Sequence, residues 1–190
     1  MKQLKMKWKR KKTERTQAVK DIVIRPLEER DIPEWLEIMS EAIYGRRAVY
    51  DDFERDIKCH DGYRAEGVLV AEIGGKTVAS TTAMVLSSGE GYIHMVGCDV
   101  NYRGRGLGTL LLREAMSILY DKGCEFVTLT TDDFRVPAIK SYLRAGFLPV
   151  LNDVDMRERW STLAGVLGAE ELYAYDGDDN SAKLVVVGAK

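Results

Sequence analysis

Apolar and charged positions alternate at the start of the chain, where Leu4, Met6 and Trp8 are interleaved with Lys5, Lys7 and Lys9. A period of two puts the apolar side chains on one face of a strand and the lysines on the other. Lysines so placed protect a sheet edge from further pairing. Residues 1–20 therefore read as an edge strand or as a basic arm. Asp21 to Arg25 is a second short strand-like stretch. From Glu29 or Asp31 the spacing changes to three and four, which gathers Ile32, Trp35, Ile38, Met39 and Ile43 on one helix face. Residues 45–62 are polar and mixed, with a second short helix predicted around Val49 to Ile57. Gly67 to Ile73 and Lys76 to Ser87 form a hairpin about Gly74-Gly75, and Ser88 to Gly91 turns the chain into a third strand, Tyr92 to Val100.

The second half keeps changing period. Leu107, Leu110, Leu111, Ala115 and Leu119 mark the buried side of a helix that ends at Lys122-Gly123. Phe126 to Thr131 is β-rich, Pro137 suits the first turn of a helix ending at Ala145-Gly146, and Phe147 to Leu151 begins another strand. Beyond it, Arg157 to Leu167 reads as a helix, Asp176 to Asn180 as an acidic loop and Leu184 to Val187 as a final strand. The pattern predicts an α/β (α+β) fold: a mixed, mostly antiparallel central sheet flanked by helices.

Composition narrows the class. At 190 residues, with 45% hydrophobic and 31% charged residues, the chain fits a single domain with a substantial core. No apolar run approaches the roughly 20 residues needed to cross a bilayer, and the N-terminus lacks the apolar core of a secretory signal, so a cytoplasmic protein is expected. Cys59, Cys98 and Cys124 have no paired metal-ligand spacing, and no metal is expected. The net charge of −2 is unevenly distributed: residues 1–20 carry nine Lys/Arg against Glu14, about +8, which leaves about −10 for the rest. A basic arm can bind nucleic acid, but no groove-reading helix or aromatic RNA motif accompanies it. The strand reading is preferred and nucleic acid is not expected as a partner.

The most specific chemistry lies in Arg103-Gly104-Arg105-Gly106-Leu107-Gly108, between a strand and a helix. Glycines let the backbone turn tightly and approach a ligand, the helix start presents unpaired N–H groups, and two arginines add forked cationic donors. The ligand should be an anion, a phosphate above all. A dinucleotide fingerprint fails because Thr109 and Leu111 stand where its last glycine is required. A nucleotide-triphosphate loop ending at Gly75-Lys76-Thr77 fails at Val70.

The run does fit Q/R-x-x-G-x-G/A through Arg103, Gly106 and Gly108, and a second block, Thr128 to Phe147, contains Ala138, Tyr142, Gly146 and Phe147 in a Y-x-x-x-G-F register. Together the two blocks resemble the GNAT superfamily of N-acetyltransferases over about residues 21–151, with 1–20 and 152–190 as extensions of one domain. The resemblance implies a GNAT-like sheet with a β-bulge or splay near the acyl-CoA site. It implies acetyl-CoA as acyl donor, contacted by Cys98, Val100, Arg103, Gly104, Arg105, Gly106, Leu107, Gly108 and Thr109, with pantetheine along the strand near Cys98 and Val100. Tyr142 matches the general acid that protonates the departing thiolate. Arg135 stands where several members have asparagine; it reaches the CoA phosphates or closes the helix start. Gly97, mid-strand, marks a bulge that frees an amide for an oxyanion, or a packing compromise.

The base is not marked. His94 is the candidate, sharing one face with Val96 and Cys98 by period two, and Glu90, Asp99, Asp132 and Asp133 are rivals by position. An acyl-enzyme on Cys98 is disfavoured without a paired histidine or a lowered thiol pKa. The expected activity is N-acyl transfer from acyl-CoA to a primary amine, small or peptidic, by direct attack in a ternary complex. The alternative is an acyl-CoA-binding sensor or scaffold without turnover. A second copy of the chain is a candidate partner, and no membrane association is expected.

Overall fold

The computed structural model describes residues 2–11, 19–169, 171–177 and 182–187. In chain order the described elements are β1 (Leu4–Lys9), β2 (Val23–Pro26), α1 (Ile32–Met39), α2 (Tyr50–Phe53), β3 (Val68–Ile73), β4 (Lys76–Val85), β5 (Gly91–Cys98), α3 (Leu107–Asp121), β6 (Phe126–Thr131), α4 (Val136–Arg144), β7 (Leu148–Leu151), α5 (Val154–Leu167), β8 (Glu171–Asp176) and β9 (Ala182–Val187). This is the mixed α/β architecture with mostly antiparallel strands and flanking helices that the pattern predicts. The chain forms two compact units, Arg10–Val127 and the combination of Met1–Lys9 with Thr128–Lys190. Neither division coincides with the boundaries at residues 20 and 151 expected from the sequence.

In the larger unit, β2, β3, β4 and β5 pair in that order, all antiparallel. The β3–β4 hairpin turns on Gly74 and Gly75, both at positive φ (59° and 83°), which a side chain would resist. Every residue of β4 from Thr77 to Met84 is buried, because α1 and α3 both pack on this strand. Its sequence accordingly does not alternate polar with apolar, and its hydroxyl residues Thr77, Ser80, Thr81 and Thr82 are buried with the rest. Helix α1 buries Ile32, Trp35, Ile38 and Met39 as the spacing predicts, and the Trp35 ring meets Phe53 edge-on at 4.9 Å. Two π-helical turns follow, Ser40–Tyr44 and Glu54–Lys58, joined by a hydrogen bond from the Tyr44 hydroxyl to Asp56 Oδ2 at 2.6 Å.

The start of α1 is fixed by charge. Arg25 on β2 donates two bonds to Asp31 (2.6 and 2.8 Å) and two to Glu72 on β3 (3.0 and 2.6 Å), while Asp31 also accepts from Thr77 Oγ1 and the Glu28 amide. The Arg25 guanidinium, against the opposing effect of burial, holds the Asp31 carboxyl down at about 2.

In the smaller unit, β1 pairs antiparallel with β7, β7 parallel with β8, and β8 antiparallel with β9. The alternation of Leu4, Met6 and Trp8 is real, since all three are buried. The edge-strand expectation is corrected, because β1 lies between β6 and β7 in the strand order. Period two reports one buried face and cannot distinguish an edge from an interior strand. Lysine is tolerated here because its stem packs while the ammonium finds a partner, Lys7 Nζ lying 4.6 Å from the centre of the Tyr175 ring. Helix α5 begins three residues before the predicted start, with Asp153 capping the Met156 amide at 2.9 Å. Strand β8 was not anticipated, and the final strand is present as β9. Residues 12–18 of the basic arm and 178–180 of the acidic loop lie outside the described residues.

Candidate functional site

The turn after β5 has the geometry its sequence requires. Gly104 and Gly106 take positive φ (78° and 79°), and a Cβ on Gly104, Gly106 or Gly108 would meet no atom within 4 Å. The backbone there is open to an incoming group. Gly106 caps the 15-residue helix α3, whose first-turn residues Leu107, Gly108 and Thr109 carry amides without intrahelical partners. Arg103 and Arg105 are exposed and lightly held: Arg103 Nε donates to the Cys98 carbonyl at 3.2 Å, and Arg105 reaches the Asn101 carbonyl at 3.4 Å and lies over the Tyr102 ring. Both side chains are exposed, and a forked guanidinium so placed suits an anion. Val100 is 51% exposed in the short 3-10 turn Val100–Tyr102.

The strand leading to this turn is bulged. Between Ser80 and Thr82 of β4 the partners on β5 jump from Gly97 to His94, so Met95 and Val96 together oppose Thr81. Met95 takes the left-handed conformation (φ 50°), rare for a non-glycine residue. The bulge is therefore just before Gly97. Gly97 itself answers to packing: a Cβ there would come within 2.9 Å of Ile38 Cγ2 and 3.0 Å of Met39 Sδ.

The extra residue corrects one expectation. His94 pairs with Thr82 and Cys98 with Ala79, positions on opposite faces of β4, so His94 and Cys98 do not share a face. Period two fails across a bulge because two residues there occupy one step of the ladder. His94 lies on the face of Tyr92 and Gly97, toward α1 and the π-turns, whereas Gly91, on the face of Cys98, approaches Leu119 of α3. Cys98 is half-buried, and burial holds its thiol above the ordinary range, opposite to what a nucleophile needs.

His94 is half-buried and its Nε2–H donates to the Asp56 main-chain carbonyl at 3.1 Å. Its ring belongs to a cluster with His60 (4.9 Å between centroids) and Tyr92 (5.4 Å), and His60 stacks on Tyr92 at 5.7 Å. Burial, then the proximity of His60, push His94 down to about 4, so the ring is neutral at neutral pH. The sequence reading missed His60, Tyr92, Tyr44 and Asp56. Nothing in one dimension ties residue 60 to residue 94.

Of the rival bases, Asp99 is a turn cap: its carboxylate accepts from the Asn101 amide (2.9 Å) and from Lys76 Nζ (3.0 Å), contacts that hold it below its usual range. Glu90 contributes its main-chain carbonyl to the turn, accepting from the Leu86 amide.

In the smaller unit, Tyr142 is buried on α4 and meets Phe147 edge-on, with ring centres 6.2 Å apart. Arg135 stands at the N-cap of α4, where its carbonyl accepts from Ala138 and Ile139 while its Nε pairs with Asp132 at 2.8 Å. The arginine side chain itself makes no cap hydrogen bond to the helix. Asp132 also accepts from Gln3, and Asp133 is gripped by Arg159, which holds it low.

Among the described residues no three or more His, Cys, Asp or Glu side chains gather to hold a metal, and no helix is long and apolar enough to cross a membrane.

A family model described as Acetyltransferase (GNAT) family matches residues 30–147. A mycothiol acetyltransferase from Corynebacterium aurimucosum is 40% identical over 57 residues, 30% of this chain and 19% of its own length. An N-alpha-acetyltransferase 30 from Xenopus laevis is 36% identical over 58 residues, again 30% of this chain and 21% of its own. The chain thus spans about a fifth of the length of these curated relatives. A GCN5-related N-acetyltransferase from Sphaerobacter thermophilus shares the fold with a TM-score of 0.63 at 22% identity, covering 77% of this chain and 48% of that one. Ard1 from Thermoplasma volcanium does so with a TM-score of 0.57 at 22% identity, covering 67% and 83%.

Proposed function

Since the chain belongs to the acetyltransferase (GNAT) family, matched over residues 30–147, we propose that it moves an acetyl or other short acyl group from acyl-CoA to a primary amine by direct attack in a ternary complex. The observation that carries this reading is the open turn at Arg103–Gly108: two left-handed glycines, two exposed arginines and the unpaired amides of α3 make a cradle for a pyrophosphate. Cys98, Val100, Leu107, Gly108 and Thr109 line its approach along the backbone. The names of the curated relatives support acetyl as the group transferred.

The amine lone pair forms the C–N bond, the C–S bond breaks toward sulfur, and the thiolate is protonated. Tyr142, by its place in Y-x-x-x-G-F, is the assigned donor, and a phenol of ordinary pKa about 10 is matched to a thiolate near 8 to 9. The raised Cys98 thiol supports direct attack over an acyl-enzyme. The acceptor is an amine of peptidic or small-molecule origin, and the protein works in the cytoplasm.

The test is amine-dependent release of CoA thiol over a panel of amines. Tyr142→Phe should lower kcat about 100-fold while acyl-CoA affinity is kept. Gly108→Ala should leave stability unchanged, because its Cβ meets nothing within 4 Å, yet weaken acyl-CoA about tenfold by blocking close backbone approach. Tight acyl-CoA binding without release for any amine would favour the sensor or scaffold instead.

A further inference from the structure

Resting on the acyltransferase reading, we propose that His94 and His60 form a two-imidazole proton acceptor for the incoming amine, with His94 taking the proton first and His60 receiving it on the way to water. Both rings are held by main-chain carbonyls. The Nε2–H of His94 donates to the Asp56 carbonyl at 3.1 Å, which leaves Nδ1 as its lone-pair nitrogen. The Nδ1–H of His60 donates to the Asp61 carbonyl at 2.8 Å, which leaves Nε2 as its lone-pair nitrogen. Main-chain carbonyls five residues apart thus fix both tautomers, and each ring keeps one basic nitrogen. The centroids are 4.9 Å apart, and Tyr92 packs against both rings and fixes their placement. Two imidazolium charges this close repel.

The surroundings set the direction of transfer. The hydrogen bond made by His94 is part-buried, while the one made by His60 lies at the exposed surface. Burial and His60 oppose charge on His94, and the Asp56 main-chain bond and carboxylate favour it weakly. The Asp56 carboxylate is itself engaged by Arg55 and the Tyr44 hydroxyl. Asp61 is bound by the amide and hydroxyl of Ser87. Tyr92 of β5 adds its ring to these groups from the second π-turn and the residues after it. A proton placed on His94 is therefore unstable there and has a less buried imidazole beside it. Of the rival bases on the larger unit, Asp99 is committed to Asn101 and Lys76.

The proton count closes. An alkyl ammonium brings three N–H protons. One passes to His94 Nδ1 and, through His60, to water before the C–N bond forms. A second leaves nitrogen as the tetrahedral intermediate collapses and replaces the proton that Tyr142 gives to the thiolate. The third stays on the amide. The acceptor class that needs such a device is an aliphatic primary amine, charged at neutral pH.

The experiment is the pH profile of kcat/KM for the full chain and for His94→Gln and His60→Gln, with circular dichroism melts to verify folding. His94→Gln should lower kcat/KM about 100-fold, abolish the acid limb and recover part of the rate with added imidazole. His60→Gln removes the neighbour that depresses His94, so its acid limb should move to higher pH, with the plateau reduced about threefold to tenfold. Acid limbs superimposable on the wild type in both variants, or changes confined to KM, would overturn the proposal. A second measurement is independent of turnover: imidazole resonances followed by NMR should titrate as a coupled pair in the wild type and as a single step in His60→Gln, and independent titration would count against it. Failure of the underlying reading looks different, because the wild type itself would then bind acyl-CoA and release no thiol with any amine, and the proton-acceptor role would fall with it.

Discussion

Single residues in this protein act through partners that are distant in sequence, and Asp31 is the clearest case. It is buried and accepts bonds from Arg25, Thr77 and the Glu28 amide, with Arg25 the largest influence on its charge. Its folded pKa of about 2 lies below the ordinary 3.8, so it contributes stability that is fully present above pH 3.8 and lost as pH falls through 2. The size is about 2 kcal/mol. Asp31→Asn leaves Arg25 half-paired and should destabilise the protein by about 3 kcal/mol at pH 7, and by much less near pH 2, as read from urea unfolding at the two pH values. Nothing in the sequence marks Asp31 for this: it was legible only as the start of a helix. The glycines and arginines of residues 103–108 were legible because their chemistry is local, fixed by backbone conformation and by the helix that begins there. Tyr142 was legible only through the spacing of its block. His60 was not legible at all, because its meaning depends on His94 and Tyr92, which the fold brings to it.

At the level of the element, the bulge in β5 is the feature that organises the strand. It places Met95 in a left-handed conformation, reverses the faces of the residues on either side, and brings Gly97 against α1. Gly97→Ala would press a methyl into Ile38 Cγ2 at 2.9 Å and into Met39 at 3.0 Å. The thioether end of Met39 can give way more readily than Ile38, so the expected loss is about 2 kcal/mol, read as a lowered melting temperature. Gly108→Ala, with no neighbour inside 4 Å, is the matched control and should melt with the wild type. Helix spans were well predicted where the apolar spacing was long, as in α1 and α3. The start of α5 was missed because the sequence pattern did not reveal the cap at Asp153. Strand β8 does not stand out in the sequence because Tyr173 and Tyr175 fall at one parity and Leu172 and Ala174 at the other, so neither face reads as polar.

For the whole molecule, the N-terminal strand decides whether residues 1–9 are an appendage or a part of the fold. Leu4, Met6 and Trp8 are each no more than 1% exposed, and β1 joins the C-terminal residues in the smaller unit. Burial of three such side chains contributes on the order of 6 kcal/mol, comparable to the total stability of a domain. Deletion of residues 1–9 should therefore cost the smaller unit its cooperative unfolding transition in circular dichroism. Under the basic-arm reading the same deletion would leave the melt unchanged and remove a salt-sensitive affinity for nucleic acid.

By itself the sequence determined the alternation of strands and helices, the glycine- and arginine-rich turn and the two spaced blocks that carry the family resemblance. These follow from periodicity, backbone freedom and side-chain chemistry within a few residues of one another. Only the tertiary structure decided that β1 is interior, that a bulge separates His94 from the face of Cys98, and that His60 stands beside His94. Pairing partners, the register across an irregular strand and contacts between side chains far apart in the chain depend on how the backbone closes on itself, and no local pattern of hydrophobic and polar residues encodes that closure.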